Sequence, residues 1–185
     1  VPIRVYGPPP TSGTRDILIE RLIENACTKH DFLRQLAIED NAEYRRHCYT
    51  FREDGAYINS GESDIRIVRK LADEAGTIGI LGYNYLDQNR DILQAATING
   101  ISPEFEIIEI NSYPLSRPLY LYVKKSRAQS IAAIKEFLLE FTSDASWGTE
   151  GYLADKGLIP LSLKEQKAWR CELNKLKAAL VNKCH

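Results

Sequence analysis

The sequence of 185 residues has no methionine, only three histidines and no long apolar run. A membrane-spanning helix needs roughly 20 predominantly apolar residues, so we expect no stable insertion into a membrane. The sequence also shows no signal-peptide pattern. The absence of methionine at position 1 and a strand-like start at Ile3 and Val5 lead us to expect a processed or truncated chain.

An excess of charge of either sign is also lacking, because 24 basic and 25 acidic residues give a formal net charge of −1. Such a mixed surface produces no global field that would attract nucleic acid, so no nucleic-acid partner is expected and any anion site must be local. The basic residues near the carboxyl end are expected to form a solvated helix face; they are Lys164, Lys167, Arg170, Lys175, Lys177 and Lys183.

Cysteines are few, and the four present fit an oxidising compartment without proving one. Cys27 and Cys48 each lie near the end of a predicted helix, where a disulfide between them is feasible. Cys171 and Cys184 would be about 20 Å apart on one continuous helix, well beyond the roughly 7 Å Cα limit for a disulfide. That second pair therefore forms only if the last helix ends early.

The scarcity of histidine weakens the case for a metal site and for a catalytic site. A zinc site built from Cys27, His30, His47 and Cys48 is disfavoured, because adjacent residues such as His47 and Cys48 seldom aim at one ion. No histidine has a spacing that suggests a base for Ser12. We therefore expect no metal, no cofactor and no enzymatic activity.

Apolar periodicity predicts an α/β fold, in a chain long enough for one sizeable core and for one domain or two small ones. Helices are predicted at 14–26, 31–47, about 65–72 and 127–142, with a basic helix at the carboxyl end. Strands are predicted at 3–6 and 77–81, with extended segments around an Asp54-Gly55 turn. A further strand is predicted at 119–123, and Asn99-Gly100 predicts a hairpin between two strand-like runs.

The join between the first strand and the first helix carries the strongest chemical signal. Three prolines at 8–10 hold the approach extended, so the helix cannot begin before the Ser12 to Arg15 cluster. Unpaired N–H groups and partial positive charge at a helix N-terminus suit a tetrahedral oxyanion. Gly13 permits close approach to the backbone, the hydroxyls of Ser12 and Thr14 add donors, and Arg15 can hold two oxygens at once.

A simpler interpretation of the same cluster stays open. Ser12 is a common N-cap residue, and such a cap needs no ligand. Asp16 in the first turn would repel an anion, whereas Arg15 occupies the place where a capping box has an acidic residue or glutamine, which mildly favours an anion. A nucleotide-binding Walker loop is excluded, because Gly7 to Gly13 has the wrong spacing and no lysine follows.

Other polar or aromatic groups have two interpretations each. Arg52, Glu53 and Asp54 could form an acid–base group, although Asp-Gly in a polar run is typical of a plain turn. Ser60, Gly61 and Glu62 could line a cleft or simply cap the next helix. Tyr83 and Tyr85 could face a cleft or the core, while Trp147 is expected in the core.

Six separated segments in order resemble a known family: VYGPPPTSGTRD, REDGAYINSGESD, GTIGILGYNYLDQN, ATINGISPEFEII, SYPLSRPLYLYVKK and FTSDASWGTEGYLADKGLIPL. They are similar to the phosphate-binding component of the phosphate ABC transporter, a type of periplasmic binding protein. The resemblance extends from Ile3 to about Ser162.

The resemblance implies a two-lobed α/β protein with a mixed sheet flanked by helices, and with inorganic phosphate held in the cleft. Residues 1–123 would form most of lobe two, and residues 124–185 would complete lobe one with its helices. The front part of lobe one, which carries further phosphate-binding groups in this family, is absent from the sequence. The implied partner is the membrane permease of the transporter, and the implied location is the periplasm.

The family's Ser-Gly-Thr motif falls on Ser12, Gly13 and Thr14, and the arginine that follows it in this branch falls on Arg15. Other branches carry an arginine a few residues earlier, where this chain has Gly7 to Pro10, so Arg15 would have to supply the cation. Two alternatives stay open: a truncated homologue without binding activity, and a phosphatase that uses the same anion pocket.

Overall fold

The computed structural model describes residues 2–181, and for 125, 129 and 174–181 it describes the backbone alone. The α-helices are α1 (Gly13–Leu18), α2 (Glu24–Cys27), α3 (Asp31–Glu39), α4 (Asn41–Tyr49), α5 (Asp64–Asp73), α6 (Tyr83–Asp87), α7 (Phe105–Glu109), α8 (Lys125–Ser130), α9 (Ala132–Phe141), α10 (Asp144–Trp147) and α11 (Leu163–Val181). A π-helical turn at Ile19–Ile23 joins α1 to α2, and a short 3₁₀ helix occupies Ala154–Lys156. None of the helices in the described residues combines the length and apolar composition that crossing a membrane requires.

Three short strands form one parallel sheet in the order β2-β1-β3. They are β1 (Arg4–Gly7), β2 (Tyr57–Asn59) and β3 (Thr77–Gly79). Val5 of β1 is paired with Tyr57 on one side and with Ile78 on the other. The α/β class is confirmed; the described strands are all parallel, so the mixed sheet that we expected is not seen among them.

Helix α5 packs on the sheet through its apolar face. Ile67 is fully buried and Val68 is almost so, whereas Ile65, which apolar periodicity would place on the same face as Val68, is exposed. A Cβ atom on Gly79 would lie 2.5 Å from Leu71 Cδ1 and 2.9 Å from Ile67 Cγ2. Glycine at 79 therefore allows α5 to approach β3 more closely than a strand residue with a side chain would permit.

A second apolar cluster lies within the helices that precede β2. Cys27 and Cys48 form a disulfide with a Cα–Cα distance of 6.2 Å, and both are buried together with Tyr44. The partly buried residues packed against them are Ile23, Leu33, Leu36, Ala37 and Tyr49. The feasible pairing of Cys27 with Cys48 is confirmed. Cys171 is an exposed free cysteine, and Cys184 lies outside the described residues.

The predicted helix over 31–47 is divided in two at Asp40. The backbone of Asp40 is not helical (φ −145°, ψ 87°), and its side-chain oxygen accepts a hydrogen bond from the Glu43 N–H at 3.0 Å. An aspartate that caps a new helix competes with continuation of the old one, which explains the break. The Asn99-Gly100 turn is present with positive φ at both residues, but its flanks form only a bridge between Ile98 and Ile101.

Three predictions for the second half of the chain are wrong. Phe105–Glu109 is a helix, not a strand-like run, and the helix predicted at 127–142 is divided at Ile131, whose backbone is extended (φ −120°, ψ 105°). Residues 119–123 form no strand in the structure. A strand needs a hydrogen-bonded neighbour, and the described residues supply none for this segment.

The chain divides into two compact units. The first consists of Val1–Pro103 and Tyr113–Ser116, and the second consists of Glu104–Ser112 and Arg117–His185. In the second unit Arg170 Nε donates to the Thr142 carbonyl at 2.9 Å, and its guanidinium pairs with Asp144, so α11 is fixed to the end of α9. The predicted lobe boundary after residue 123 stays a prediction.

Removal of the Cys27–Cys48 disulfide should destabilise the first unit. The bridge closes a loop with a sequence separation of 21, for which chain-entropy estimates give about 3 kcal/mol. We expect a Cys27→Ser, Cys48→Ser double variant to lose roughly that free energy of unfolding in urea titrations at equilibrium. Cys171→Ser is the matched control and should leave the midpoint unchanged. An equal shift in both variants would contradict this account.

Candidate functional site

The candidate site lies at the carboxyl edge of the parallel sheet. Strands β1, β2 and β3 end at Gly7, Asn59 and Gly79, so the loops that follow them emerge at the same edge. The first loop leads into α1, the second into α5 and the third into α6. In open α/β sheets, ligands bind outside this edge. The Ser12 to Arg15 cluster is therefore placed where a ligand site is expected.

Ser12 caps the first helix. Its backbone is extended (φ −87°, ψ 127°), and its hydroxyl oxygen accepts a hydrogen bond from the Thr14 N–H at 3.3 Å. Its carbonyl accepts from the N–H groups of Arg15 at 3.0 Å and Asp16 at 3.2 Å. The prediction that the helix begins at this cluster is confirmed.

Two donors at this helix start stay uncommitted. Among the described residues, neither the Gly13 N–H nor the Thr14 hydroxyl has a hydrogen-bond partner. The Ser12 hydroxyl accepts from Thr14 N–H and still has its own proton to donate. All four residues from Ser12 to Arg15 are half-buried, so they face a recess or a surface that solvent partly reaches. These donors are therefore available in addition to the cap.

The Arg15 side chain is held by two aromatic rings. Its guanidinium carbon lies 4.3 Å from the centroid of the Phe51 ring and 5.7 Å from that of Tyr57. The two rings are in contact with each other, with centroids 4.4 Å apart. Within the described residues no carboxylate forms an ion pair with Arg15. The cation is thus ordered by rings that leave its charge uncompensated.

Tyr57 joins the Arg15 stack to the loop after β1. Its hydroxyl donates to the Pro8 carbonyl at 2.6 Å. A Cβ atom on Gly7 would lie 2.5 Å from the Tyr57 hydroxyl oxygen, so the tyrosine can cross the end of β1 only because residue 7 is glycine. The stack therefore contacts the same loop that delivers Ser12.

Burial raises the pKa of the Tyr57 phenol above its ordinary value, and the nearby Arg15 guanidinium opposes that rise. Because the pKa is raised, the phenol stays protonated at neutral pH and remains a donor to Pro8. Deprotonation would remove this hydrogen bond only in strongly alkaline solution. The hydrogen bond from Tyr57 to Pro8 is therefore retained across the physiological pH range.

Acidic and basic side chains alternate around the site. Thr11 Oγ1 donates to the exposed carboxylate of Glu62, which links the loops after β1 and β2. A Cβ atom on Gly61 would lie 3.9 Å from a guanidinium nitrogen of Arg66, so a second cation lies near the loop after β2. The loop after β3 is fixed separately, since the Gly82 N–H donates to Asp64 Oδ2 at 3.0 Å. Two exposed carboxylates, Asp16 and Glu62, therefore lie on the segments that form the candidate site.

Of the remaining candidate groups, Arg52 and Asp54 form a turn, whereas the choice between cleft and core for Tyr83 and Tyr85 stays a prediction. Arg52 pairs with Asp54, and Asp54 Oδ1 accepts from the Ala56 N–H at 3.2 Å, which is the plain turn. Tyr83 is half-buried and donates to Asp87 at 3.3 Å. Tyr85 is also half-buried. In the described part of the chain, neither tyrosine forms a hydrogen bond or a ring contact with the Ser12 to Arg15 cluster.

Trp147 belongs to the second unit and lies half-buried against Phe141, with ring centroids 6.3 Å apart. The predicted core position is in agreement with this contact. The zinc alternative loses its two sulfur ligands, because Cys27 and Cys48 are joined in the disulfide. Among residues 2–181 no group of three or more metal-ligating side chains is present.

Phe51 and Tyr57 are site residues that the sequence did not identify. They lie on either side of the Asp54-Gly55 turn, so their proximity follows from that turn. The spacing alone gives no reason to connect them to an arginine more than thirty residues earlier. An aromatic pair flanking a turn next to a predicted strand was the one available signal.

Comparison with known proteins gives one family and several relatives. A profile of the family described as a PBP superfamily domain matches residues 1–145. SphX of Synechococcus elongatus is 25% identical over 175 residues, which cover 91% of this chain and 42% of SphX. The phosphate-binding protein PstS of Staphylococcus haemolyticus is 30% identical over 133 residues, 68% of this chain and 39% of that protein.

A second phosphate-binding protein PstS, from Staphylococcus saprophyticus, is 24% identical over 177 residues, 93% of this chain and 46% of that protein. The chain thus spans less than half the length of these relatives. No solved structure matches it. These findings confirm the resemblance drawn from the sequence motifs. Because the family profile covers more than three quarters of the residues, the chain belongs to the PBP superfamily.

Proposed function

We propose that the chain is part of a non-enzymatic phosphate-binding protein that holds inorganic phosphate at the Ser12 to Arg15 cluster. The proposal rests on one observation: unused hydrogen-bond donors at the start of a helix occur together with an arginine whose side chain is already ordered. The Gly13 N–H and the Thr14 hydroxyl have no partner in the described residues, and Arg15 is stacked on Phe51 without a carboxylate. The relatives named phosphate-binding proteins support the choice of ligand.

Each donor would have a distinct task. The N–H of Gly13 would point along the positive end of the helix dipole toward an oxygen of the anion. The hydroxyls of Ser12 and Thr14 would donate to further oxygens, and Arg15 would neutralise charge with directional N–H groups. Exclusion of water on lobe closure would strengthen these hydrogen bonds, because a lower local dielectric increases their electrostatic part.

The wider role is a proposal of the same kind. Residues 1–123 would form most of lobe two and residues 124–185 would contribute to lobe one. Bound phosphate would be delivered to the membrane permease of an ABC transporter in the periplasm. The Cys27–Cys48 disulfide supports an oxidising compartment.

Two alternatives are separated by direct measurement. Equilibrium dialysis with labelled phosphate would reveal a homologue without binding activity, because such a chain would retain none. Incubation with a chromogenic phosphate ester would reveal a phosphatase by release of the coloured alcohol. A binding protein retains phosphate and releases no product from the ester.

Arg15→Ala should weaken phosphate binding by about tenfold or more, since a charged hydrogen bond contributes about 1.5 to 3 kcal/mol. Isothermal titration with inorganic phosphate measures the dissociation constant. Arg21→Ala is the matched control, because Arg21 is an exposed arginine six residues further along the same helical segment. An unchanged dissociation constant for Arg15→Ala would contradict the assignment.

Gly13→Pro tests the backbone donor directly. Proline at the first helical position removes the N–H and is well tolerated, and the extended backbone of Ser12 suits a following proline. We expect Gly13→Pro to weaken phosphate binding by about tenfold, the usual effect of one lost hydrogen bond to a charged group. Gly13→Ala keeps the N–H and is the control for added bulk. Equal affinities of the two variants would show that this N–H does not bind phosphate.

Phe51→Leu should lower phosphate affinity by about threefold to tenfold, because a cation–π contact contributes roughly 0.5 to 1 kcal/mol or more and orders the guanidinium. Phe51→Tyr keeps the ring and should restore most of the affinity. The effect should vanish in an Arg15→Ala background, which a general loss of stability would not produce. Additive losses in that double variant would contradict a role exerted through Arg15.

A further inference from the structure

The loop between β1 and α1 has few groups with which to fix its own position. Pro8, Pro9 and Pro10 carry no backbone N–H, so these consecutive residues donate no main-chain hydrogen bond. This stretch can be anchored through its carbonyl groups and by packing. The Ser12 N–H donates to the Pro9 carbonyl at 3.0 Å, which closes a turn just before the helix.

The two carbonyls that precede this turn accept hydrogen bonds from β2 and the loop after it. The Gly7 carbonyl accepts from the Ser60 N–H at 2.9 Å, and the Pro8 carbonyl accepts from the Tyr57 hydroxyl at 2.6 Å. Pro8 is fully buried, and among the described residues no backbone N–H donates to its carbonyl. Because a buried carbonyl without a donor is costly, the Tyr57 hydroxyl is the group that holds the loop at Pro8.

Tyr57 also contacts the cation of the candidate site. The centroid of its ring lies 5.7 Å from the guanidinium carbon of Arg15, while the hydroxyl at the end of that ring holds Pro8. The backbone of Tyr57 is paired with Val5 of β1, so the side chain projects from the sheet and not from a loop. One side chain on a fixed strand therefore contacts both the arginine and the loop that leads to Ser12.

Given phosphate binding at the Ser12 to Arg15 cluster, on which this inference rests, we propose that Tyr57 is a positioning residue for the anion. Its hydroxyl, acting through Pro8, sets the position of the Gly13 N–H relative to the Arg15 guanidinium. Hydrogen bonds weaken steeply when donor and acceptor are misaligned, so two donors bind one anion best when their relative position is fixed in advance. Tyr57 achieves this without a contact to phosphate.

Tyr57→Phe tests this role, because it keeps the ring beside Arg15 and removes the hydroxyl. We expect the phosphate affinity of the full chain, measured by isothermal titration, to fall about threefold to tenfold, the usual effect of one lost hydrogen bond. Tyr49→Phe is the matched control: Tyr49 is a half-buried tyrosine of the same unit, packed against the disulfide cluster, and its hydroxyl is hydrogen-bonded to Glu24. Unchanged affinity for Tyr57→Phe, or an equal loss for Tyr49→Phe, would overturn the proposal.

Combination with Gly13→Pro distinguishes positioning from a general loss of stability. Gly13→Pro removes the N–H that Tyr57 aligns, so in a Tyr57→Phe background it should weaken binding by no more than about twofold, against about tenfold in the otherwise unchanged chain. A general loss of stability would leave the two effects additive on the logarithmic scale of affinity. Additive losses would therefore overturn the proposal.

Arg15→Ala separates failure of this inference from failure of the proposed function. If Arg15→Ala weakens phosphate binding and Tyr57→Phe does not, the positioning role is wrong and the phosphate site stands. If the unchanged chain retains no phosphate, or Arg15→Ala binds phosphate as tightly as the unchanged chain does, both proposals are wrong.

Discussion

The central position of β1 is the constraint on which the first unit depends. Its residues Val5 and Tyr6 are paired with β2 on one side and with β3 on the other, in parallel register. The course of the chain into Gly7 is therefore fixed by pairing on both edges, and Gly7 itself is paired with Asn59 of β2. The loop and helix that follow begin from a rigid point, and Ser12 reaches its capping position without help from a ligand.

A conflict in the local sequence is resolved by tertiary contacts. A cation in the first turn of a helix is unfavourable to the helix dipole, yet Arg15 occupies that turn. The structure directs its guanidinium onto the rings of Phe51 and Tyr57, and Tyr57 in turn is bonded to Pro8. A residue that costs helix stability is thus kept in one ordered position, which is typical of functional sites.

Residue spacing correctly predicted the features that depend on interactions between residues close in the sequence. The Ser12 cap, helix α5 and the helix ends that allow the Cys27–Cys48 bridge all follow from spacing, and each is present. The helix break at Asp40 depends on a new N-cap, and the break at Ile131 depends on an extended backbone. Apolar periodicity indicates neither of them. The stack of Phe51 on Arg15 depends on a chain reversal, and the strand expected at 119–123 depends on a neighbour that the described residues lack.

One helical segment connects the candidate anion site to the disulfide of the first unit. It runs from the Ser12 cap through the π-helical turn to Cys27, roughly 20 Å at the usual rise per residue. Its front end carries the free donors, and its rear end is covalently anchored to α4. Because the disulfide fixes the C-terminal end of this segment, unfolding that starts at that end is hindered from reaching the donors at its N-terminal end. The bridge, although remote from the anion site, limits how far the free donors can drift.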